Sequence, residues 1–367
     1  MTAARYPDSS MHSASTPVQF GCQVVTYGDV NGTIRDARRA SQAGFDLVTV
    51  PDHLFHPTDA DSFLVDPPWE AFSVLGAIAQ HTGDAMLFPG VTDSVRRHPT
   101  EIAHIIATLD RMTDGRAGLG IGAGEVFNFA QITDIDWSNP FARFVEAVEI
   151  IIGLWDSTAA EPFSYDGEFF GVQDAHLGLK PVQQPRPPIW VGGYGPSMRG
   201  FTGAVADGWF PWIHTPDQYA RDLERIIETA TERGRDPDAI DRAVCVPTAI
   251  AEDPEDARAV ALDRCRTTLA LRPALLETMG YEDIAADAPE MYQMAFDADQ
   301  IAQLERAASR IPDAAVEDAT IVGTPDEAIE RIDSYREAGV DHLVIIPVGP
   351  FDETIEHYAE TIMPSFR

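Results

Sequence analysis

The chain has 367 residues, 44% of them hydrophobic and 9% aromatic, enough to bury the core of a single large α/β domain. It carries 26 Lys and Arg against 59 Asp and Glu, a net charge of −33, and a field of that sign repels nucleic acid and anionic membranes. The acids are dispersed, as in Glu252-Asp253-Pro254-Glu255-Asp256, which suits a solvated surface better than an interaction tail. Lys180 is the only lysine. So acidic a surface repels itself in dilute buffer and is screened by salt, which fits a salt-accumulating cytoplasm. Cys22, Cys245 and Cys265 are an odd, sparse set that fits a reducing compartment, and none has metal-ligand spacing with histidines, so no metal is expected. Residues 1–17 are polar and read as a disordered leader, and no apolar stretch reaches the ~18 residues that span a membrane.

From residue 18 onward, short apolar runs alternate with amphipathic segments. Strands are expected at 18–25 and 47–50, with a helix over 33–43 between them that ends at Gly44. A helix over 69–81 leads to a strand at 85–91, a helix over 100–112 and a strand at 116–122. Then come a helix over 141–155, a strand at 188–192, a helix over 197–206 and a short strand at 208–211. The last third gives a helix over 216–233, a strand at 242–250, helices over 254–271 and 325–338, and a strand at 342–347. About eight strands alternating with helices predict a (β/α)8 TIM barrel, read as one domain over 18–367. Two stretches interrupt the alternation and read as insertions on the barrel. Residues 157–187 hold a hairpin over 163–170 and a Pro-rich connector, and residues 272–318 are Ala/Asp-rich with helical spacing.

In a barrel, active residues sit past the carboxyl ends of the strands. Pro51-Asp52-His53 follows the second strand. An acid and an imidazole on one loop either cap and pack, or bind a polar ring edge and handle a proton near pH 7. Gly90, Val91 and Thr92 end the third strand, where a Pro-Gly pair marks a bulge or a plain strand end. Arg96 and Arg97 follow, either a solvated helix start or a receiver for an anion. The run 118–125 is glycine-rich without G-x-G-x-x-G spacing; it lets backbone approach a flat or phosphorylated ligand and leaves Glu125 at the mouth. Gly192-Gly193-Tyr194-Gly195-Pro196 opens a helix, a tight turn or a phosphate site. Trp209, Trp212 and His214 either pack or wall a pocket.

Together these segments resemble the luciferase-like monooxygenase superfamily. The resemblance rests on 43–46 leading to Pro51-Asp52-His53, Gly90-Val91-Thr92 with Arg97-His98-Pro99, the run 119–125, the run 188–196 with Ala206-Asp207-Gly208, and the runs 322–327 and 338–341. Five such fragments in order, at βα loops, are fairly specific. The resemblance implies a barrel with insertions, often a homodimer, with a flavin or deazaflavin at the carboxyl ends. The run Gly122-Ala123-Gly124-Glu125 looks more like the coenzyme F420 branch, which includes methylene-pterin reductases and sugar-phosphate dehydrogenases. That branch implies a non-proline cis peptide, here at Gly90–Val91, with His53 and Glu125 handling protons and Asp52 at the ring edge. It also implies cofactor contacts from Thr92, Arg97, Ala123, Gly124, Asn128 and the segment Gly192 to Pro196. With the acidic surface, the resemblance points to a haloarchaeal enzyme. Two departures stand out. Gln23 replaces the carboxylate that pterin reductases carry near the end of the first strand, and one lysine is too few for a sugar-phosphate pocket built on lysines.

The leading expectation is hydride transfer between coenzyme F420 and a small organic substrate, in the manner of a pterin or folate reductase. The alternatives are an FMN-dependent monooxygenase using oxygen, and a flavin-binding barrel without turnover.

Overall fold

The structure is a computed structural model that describes residues 17–24, 26, 28–54, 68–126, 134–294 and 297–367. The expected leader therefore lies almost wholly outside the described residues. In chain order the strands are β1 (Gln19–Gln23), β2 (Leu47–Val50), β3 (Met86–Pro89), β4 (Thr92–Asp93), β5 (Leu119–Gly122), β6 (Phe163–Asp166), β7 (Gly171–Ala175), β8 (Ile189–Val191), β9 (Gly208–Trp209), β10 (Asp241–Ile250), β11 (Ile321–Gly323) and β12 (His342–Pro347). The helices are α1 (Val30–Gln42), α2 (Ala71–Ile78), α3 (Pro99–Met112), α4 (Pro140–Asp156), α5 (Pro196–Val205), α6 (Pro216–Glu232), α7 (Pro254–Ala270), α8 (Pro273–Thr278), α9 (Glu282–Ala285), α10 (Ala298–Ala308), α11 (Asp313–Asp318), α12 (Pro325–Glu337) and α13 (Phe351–His357).

All strands but β6 and β7 join one parallel sheet in the order β3-β2-β1-β12-β10-β9-β8-β5-β4, with β11 beside the end of β10. A bridge between Leu87 and Ala117 brings β3 back to β5, so the sheet curls into an α/β barrel of the TIM type. β3 and β4 are two pieces of one barrel strand, interrupted at Gly90–Val91. Helices cover the outer face of the sheet and side chains fill the inner one, which is why runs such as Leu-Val-Thr-Val in β2 are buried throughout. Inside, Leu47, Phe88, Trp190, Phe210, Ala243, Cys245 and Val344 form a plug, with the Phe88 and Trp190 rings 4.5 Å apart. The barrel interior is therefore filled by side chains, and the partly exposed backbone lies at the carboxyl ends of its strands.

Several boundaries differ from the expectation for local reasons. α2 starts two residues late because the Glu70 carboxylate caps it, accepting from the amides of Phe72 (3.3 Å) and Ser73 (2.7 Å). The hairpin expected over 163–170 closes later, with Gly171–Ala175 as its second strand. Residues 168–170 form its turn because their three amides donate to the Glu146 carboxylate of α4. The insertion at 272–318 is helical, holding α8 to α11 around a core in which Leu275, Leu276 and Leu304 pack with Cys265 and Leu269 of α7. Lys180, in the other insertion, turns its ammonium inward to cap α4, donating to the carbonyls of Leu154 and Trp155, both at 2.8 Å. The three cysteines are buried free thiols. No helix among the described residues is long and apolar enough to cross a membrane.

Candidate active site

Strands that are buried along their length become half-exposed together at their carboxyl ends. His53, Gly90, Val91, Ala123, Gly124, Glu125 and Gly192 to Gly195 are all partly open there, around one mouth. Asn128 lies outside the described residues.

The third strand shapes this mouth. The Gly90–Val91 peptide is cis, as the resemblance implied, and it separates β3 from β4. Every second residue of the neighbouring strand is glycine, and each absence of a side chain admits a part of the break. A Cβ at Gly118 would strike the Phe88 ring, and one at Gly120 would strike the Pro89 carbonyl. One at Gly192 on the next strand would stand 2.8 Å from Cγ2 of Val91. These glycines serve strand-to-strand contact, and the open backbone begins only at Ala123-Gly124. Gln23 faces the same region, 3.4 Å from the Cβ position of Gly90, and its side-chain oxygen accepts from Cys245 Sγ at 3.6 Å.

Asp52 is buried, and its carboxylate is the hub of an ion-pair network. Its Oδ2 accepts from Thr92 Oγ1 (2.6 Å) and Arg97 Nη1 (2.6 Å) and lies 2.9 Å from Arg96 Nη2. Arg96 also donates to the Asp52 carbonyl (2.6 Å) and pairs through Nε with Asp93, while Arg97 reaches Glu70 at 2.7 Å. Burial pushes the Asp52 carboxyl upward, but Arg96 and Arg97 outweigh it and hold the group below its ordinary range. Asp52 is thus an ionised anchor. Arg96 and Arg97, expected to receive an anionic tail, have their guanidinium groups engaged by the protein's own carboxylates. The Glu70 contact leaves Arg97 beside the mouth, not free within it.

Glu125 has the opposite electrostatics. Burial, then the nearby Asp93 charge, raise its carboxyl from 4.5 to about 7, with Arg96 pulling the other way. It is therefore divided between acid and base at neutral pH, which suits a group that must give and take a proton. His53, on the loop after β2, is half-buried at the same mouth.

Gly192 to Pro196 cross the mouth and open α5. Gly195 is the N-cap, with no side-chain cap bond and open space where its Cβ would be. The first-turn amides of α5 are thus uncapped by side chains and disposed for an anion. The Arg272 guanidinium lies 3.8 Å from the Tyr194 ring centroid. Arg272 is 2% exposed; its Nη1 donates to the carbonyls of Trp212 and Ile213, and its Nε has no partner. Trp209 and His214 are fully buried, His214 against Asp222 at 3.2 Å, so they are packing residues, and Trp212 alone of that trio stays partly exposed. Asp93 and Arg272 carried no signal in the sequence: each is one acid or one cation in an unremarkable context, and only the fold gives it a partner.

The residues present fit a flat ring with a phosphate-bearing tail. The strand break and Ala123-Gly124 offer a shallow backbone surface, with Asp52 and Thr92 buried and bonded to each other beneath it, and the uncapped start of α5 beside Arg272 offers a positive end. The fold and site thus define a parallel α/β-barrel enzyme with a half-buried carboxyl of raised pKa near the carboxyl ends of its strands. The sequence profile of the luciferase-like monooxygenase family matches residues 11–342, and the chain belongs to that family. Among its relatives is the phthiodiolone/phenolphthiodiolone dimycocerosates ketoreductase of Mycobacterium sp. (strain JLS), 33% identical over 82% of this chain and 80% of the relative. The 5,10-methylenetetrahydromethanopterin reductase of Archaeoglobus fulgidus is 31% identical over 89% of this chain and 93% of its own. A solved F420-dependent secondary alcohol dehydrogenase, in complex with an F420-acetone adduct, superposes with a TM-score of 0.80 at 25% identity, covering 96% of this chain and 99% of that one. The chain is an oxidoreductase of a family with F420-dependent members.

Proposed function

We propose that this enzyme transfers a hydride between coenzyme F420 and a small carbonyl compound, interconverting a ketone and its secondary alcohol. The observation that carries the reading is Glu125, whose carboxyl is raised to about 7 beside the broken third strand. Reduction of a ketone leaves an alkoxide that needs a proton, and oxidation of the alcohol needs a base, and a group near neutrality serves both. When bound, F420 supplies the ring carbon that gives or accepts the hydride. Gly90, Val91 and Thr92 would back the ring, Asp52 would meet its polar edge, and Ala123 and Gly124 would contact it. Gly192 to Pro196 would hold the phosphate end, with Arg272 lending positive charge from behind Tyr194. His53 would support the proton exchange. Two of the three relatives carry ketone or secondary-alcohol chemistry in their names. Gln23 presents a neutral amide beside the strand break, which suits an uncharged carbonyl substrate.

The test is a fluorescence titration of F420 and FMN in about 2 M KCl, where screening is nearly complete, followed by anaerobic oxidation of reduced F420 by small ketones. Tight F420 binding, weak FMN binding and ketone-dependent turnover lost in Glu125→Gln are expected. Preferential FMN binding with oxygen consumption would overturn the reading in favour of a monooxygenase.

A further inference from the structure

The buried charges behind Glu125 are tied to it by strand register. β4 pairs with β5 so that Thr92 stands opposite Ile121 and Asp93 opposite Gly122, three residues before Glu125. Asp93 is fixed on both oxygens. Its Oδ1 accepts from the amides of Val95 and Arg96, each at 2.8 Å, and its Oδ2 takes Arg96 Nε. The far end of Arg96 grips the carbonyl and carboxylate of Asp52, and its side chain is 6% exposed. The loops after β2 and β4 are thus clamped by one guanidinium. Around it stand the carboxylates of Asp52, Asp93 and Glu70, with Arg96 and Arg97 as the two cations. Three anions against two cations leave the cluster with net negative charge before Glu125 ionises. Burial is the larger influence on Glu125; of these charges, Asp93 raises its carboxyl and Arg96 lowers it.

We propose that Asp93 and Arg96 are positioning residues for Glu125: Arg96 locks Asp93 against β5, and Asp93 presents the fixed negative charge that keeps the Glu125 carboxyl available as an acid. Neither touches the reacting atoms. The inference rests on Glu125 being the proton-exchanging group of the proposed function, but its test does not depend on the cofactor. A catalytic carboxyl set by a charge on a neighbouring strand can be adjusted without altering the mouth itself.

The experiment follows the Glu125 carboxyl in substrate-free enzyme by carbon-detected NMR with labelled glutamate, assigned with Glu125→Gln, and in parallel the pH profile of kcat/KM. Asp93→Asn keeps the side-chain shape and the oxygen that accepts the two amides. It should move the Glu125 titration and the basic limb of the reduction profile together to lower pH by about one unit. Arg96→Lys, which retains the cation, should leave both close to wild type, whereas Arg96→Gln should move them to higher pH. If the Gln variant does not fold, the Asn and Lys variants still decide the matter. A Glu125 titration unmoved in Asp93→Asn, or variants that lower kcat with no shift of either limb, would overturn the proposal. A shifted titration in an enzyme that does not bind F420 would uphold the positioning role and remove only the cofactor assignment.

Discussion

Replacing Glu125 by Gln should make the protein more stable and less active, with the gain in stability confined to one side of a pH window. In the unfolded chain the carboxyl ionises at about 4.5; in the folded protein it does so at about 7. Below 4.5 both states hold the proton and the group contributes nothing. Between 4.5 and 7 the unfolded chain releases the proton while the native state keeps it, so stability falls as pH rises. Above 7 the native state carries the full cost of an ionised, poorly solvated carboxylate. At 1.36 kcal/mol per pH unit that cost is roughly 3 kcal/mol. Glu125 keeps part of its surface open, and solvent screening reduces the expected figure to about 2 kcal/mol. Gln has the same shape and no charge, so the variant escapes this cost. The assay is urea unfolding of both proteins at pH 5 and pH 8 in high salt, taking the difference between them so that the pH response of the other acids cancels. The variant should gain about 2 kcal/mol on wild type between pH 5 and pH 8, and lose turnover by about 10²-fold or more. A difference that stays constant with pH would show that Glu125 titrates as an ordinary surface acid, and the reading of it as the proton donor would go with it.

Gly192→Ala places a methyl 2.8 Å from Cγ2 and 2.9 Å from Cγ1 of Val91, a stiff β-branched side chain, and should cost about 1–3 kcal/mol and weaken cofactor binding about tenfold or more; unchanged melting and affinity would show that Val91 moves freely. Burial works against protonating His342, but its bond to Asp341 and the nearby Asp241 win and raise it above its ordinary 6.5. Its stabilising contribution is therefore full below 6.5 and lost as pH rises through the folded value. Wild type should exceed His342→Gln in stability at pH 6 by more than at pH 9, and equal margins would refute the assignment. The −33 charge predicts loss of helical circular dichroism on dialysis from about 2 M KCl into dilute buffer; a spectrum that survives dialysis would count against salt adaptation.

The barrel was legible because its strands are short apolar runs bounded by turn residues, and its helices are amphipathic with recognisable caps such as Thr324 and Glu327 at α12. What escaped the sequence was whatever depends on a partner far along the chain. Glycines 118, 120 and 122 look like ligand-facing backbone when read alone, yet each accommodates part of β3 or the residues just after it. Arg96 and Arg97 look like anion receptors in a chain short of cations, and their actual partners lie about forty residues earlier, at Asp52. The small strand β11 was missed because three residues give too short a period to read, and it is defined only by its pairing with β10. Gly90, Val91, Ala123, Gly124 and Glu125 are partly exposed at the carboxyl ends of their strands, where βα loops of a barrel gather, while Asp52 and Thr92 are buried beneath them.

The position of Lys180 has a practical side. The chain has a single side-chain amine, and that amine is tied to the last carbonyls of α4. Reagents directed at lysine therefore have a single, hydrogen-bonded side chain to modify, so cross-linking or immobilisation through lysine is a poor route to handling it. The same scarcity turns Lys180 into a reporter: its rate of acylation measures how often the end of α4 frays, a one-site clock for local opening in a protein with no other lysine to confuse the count.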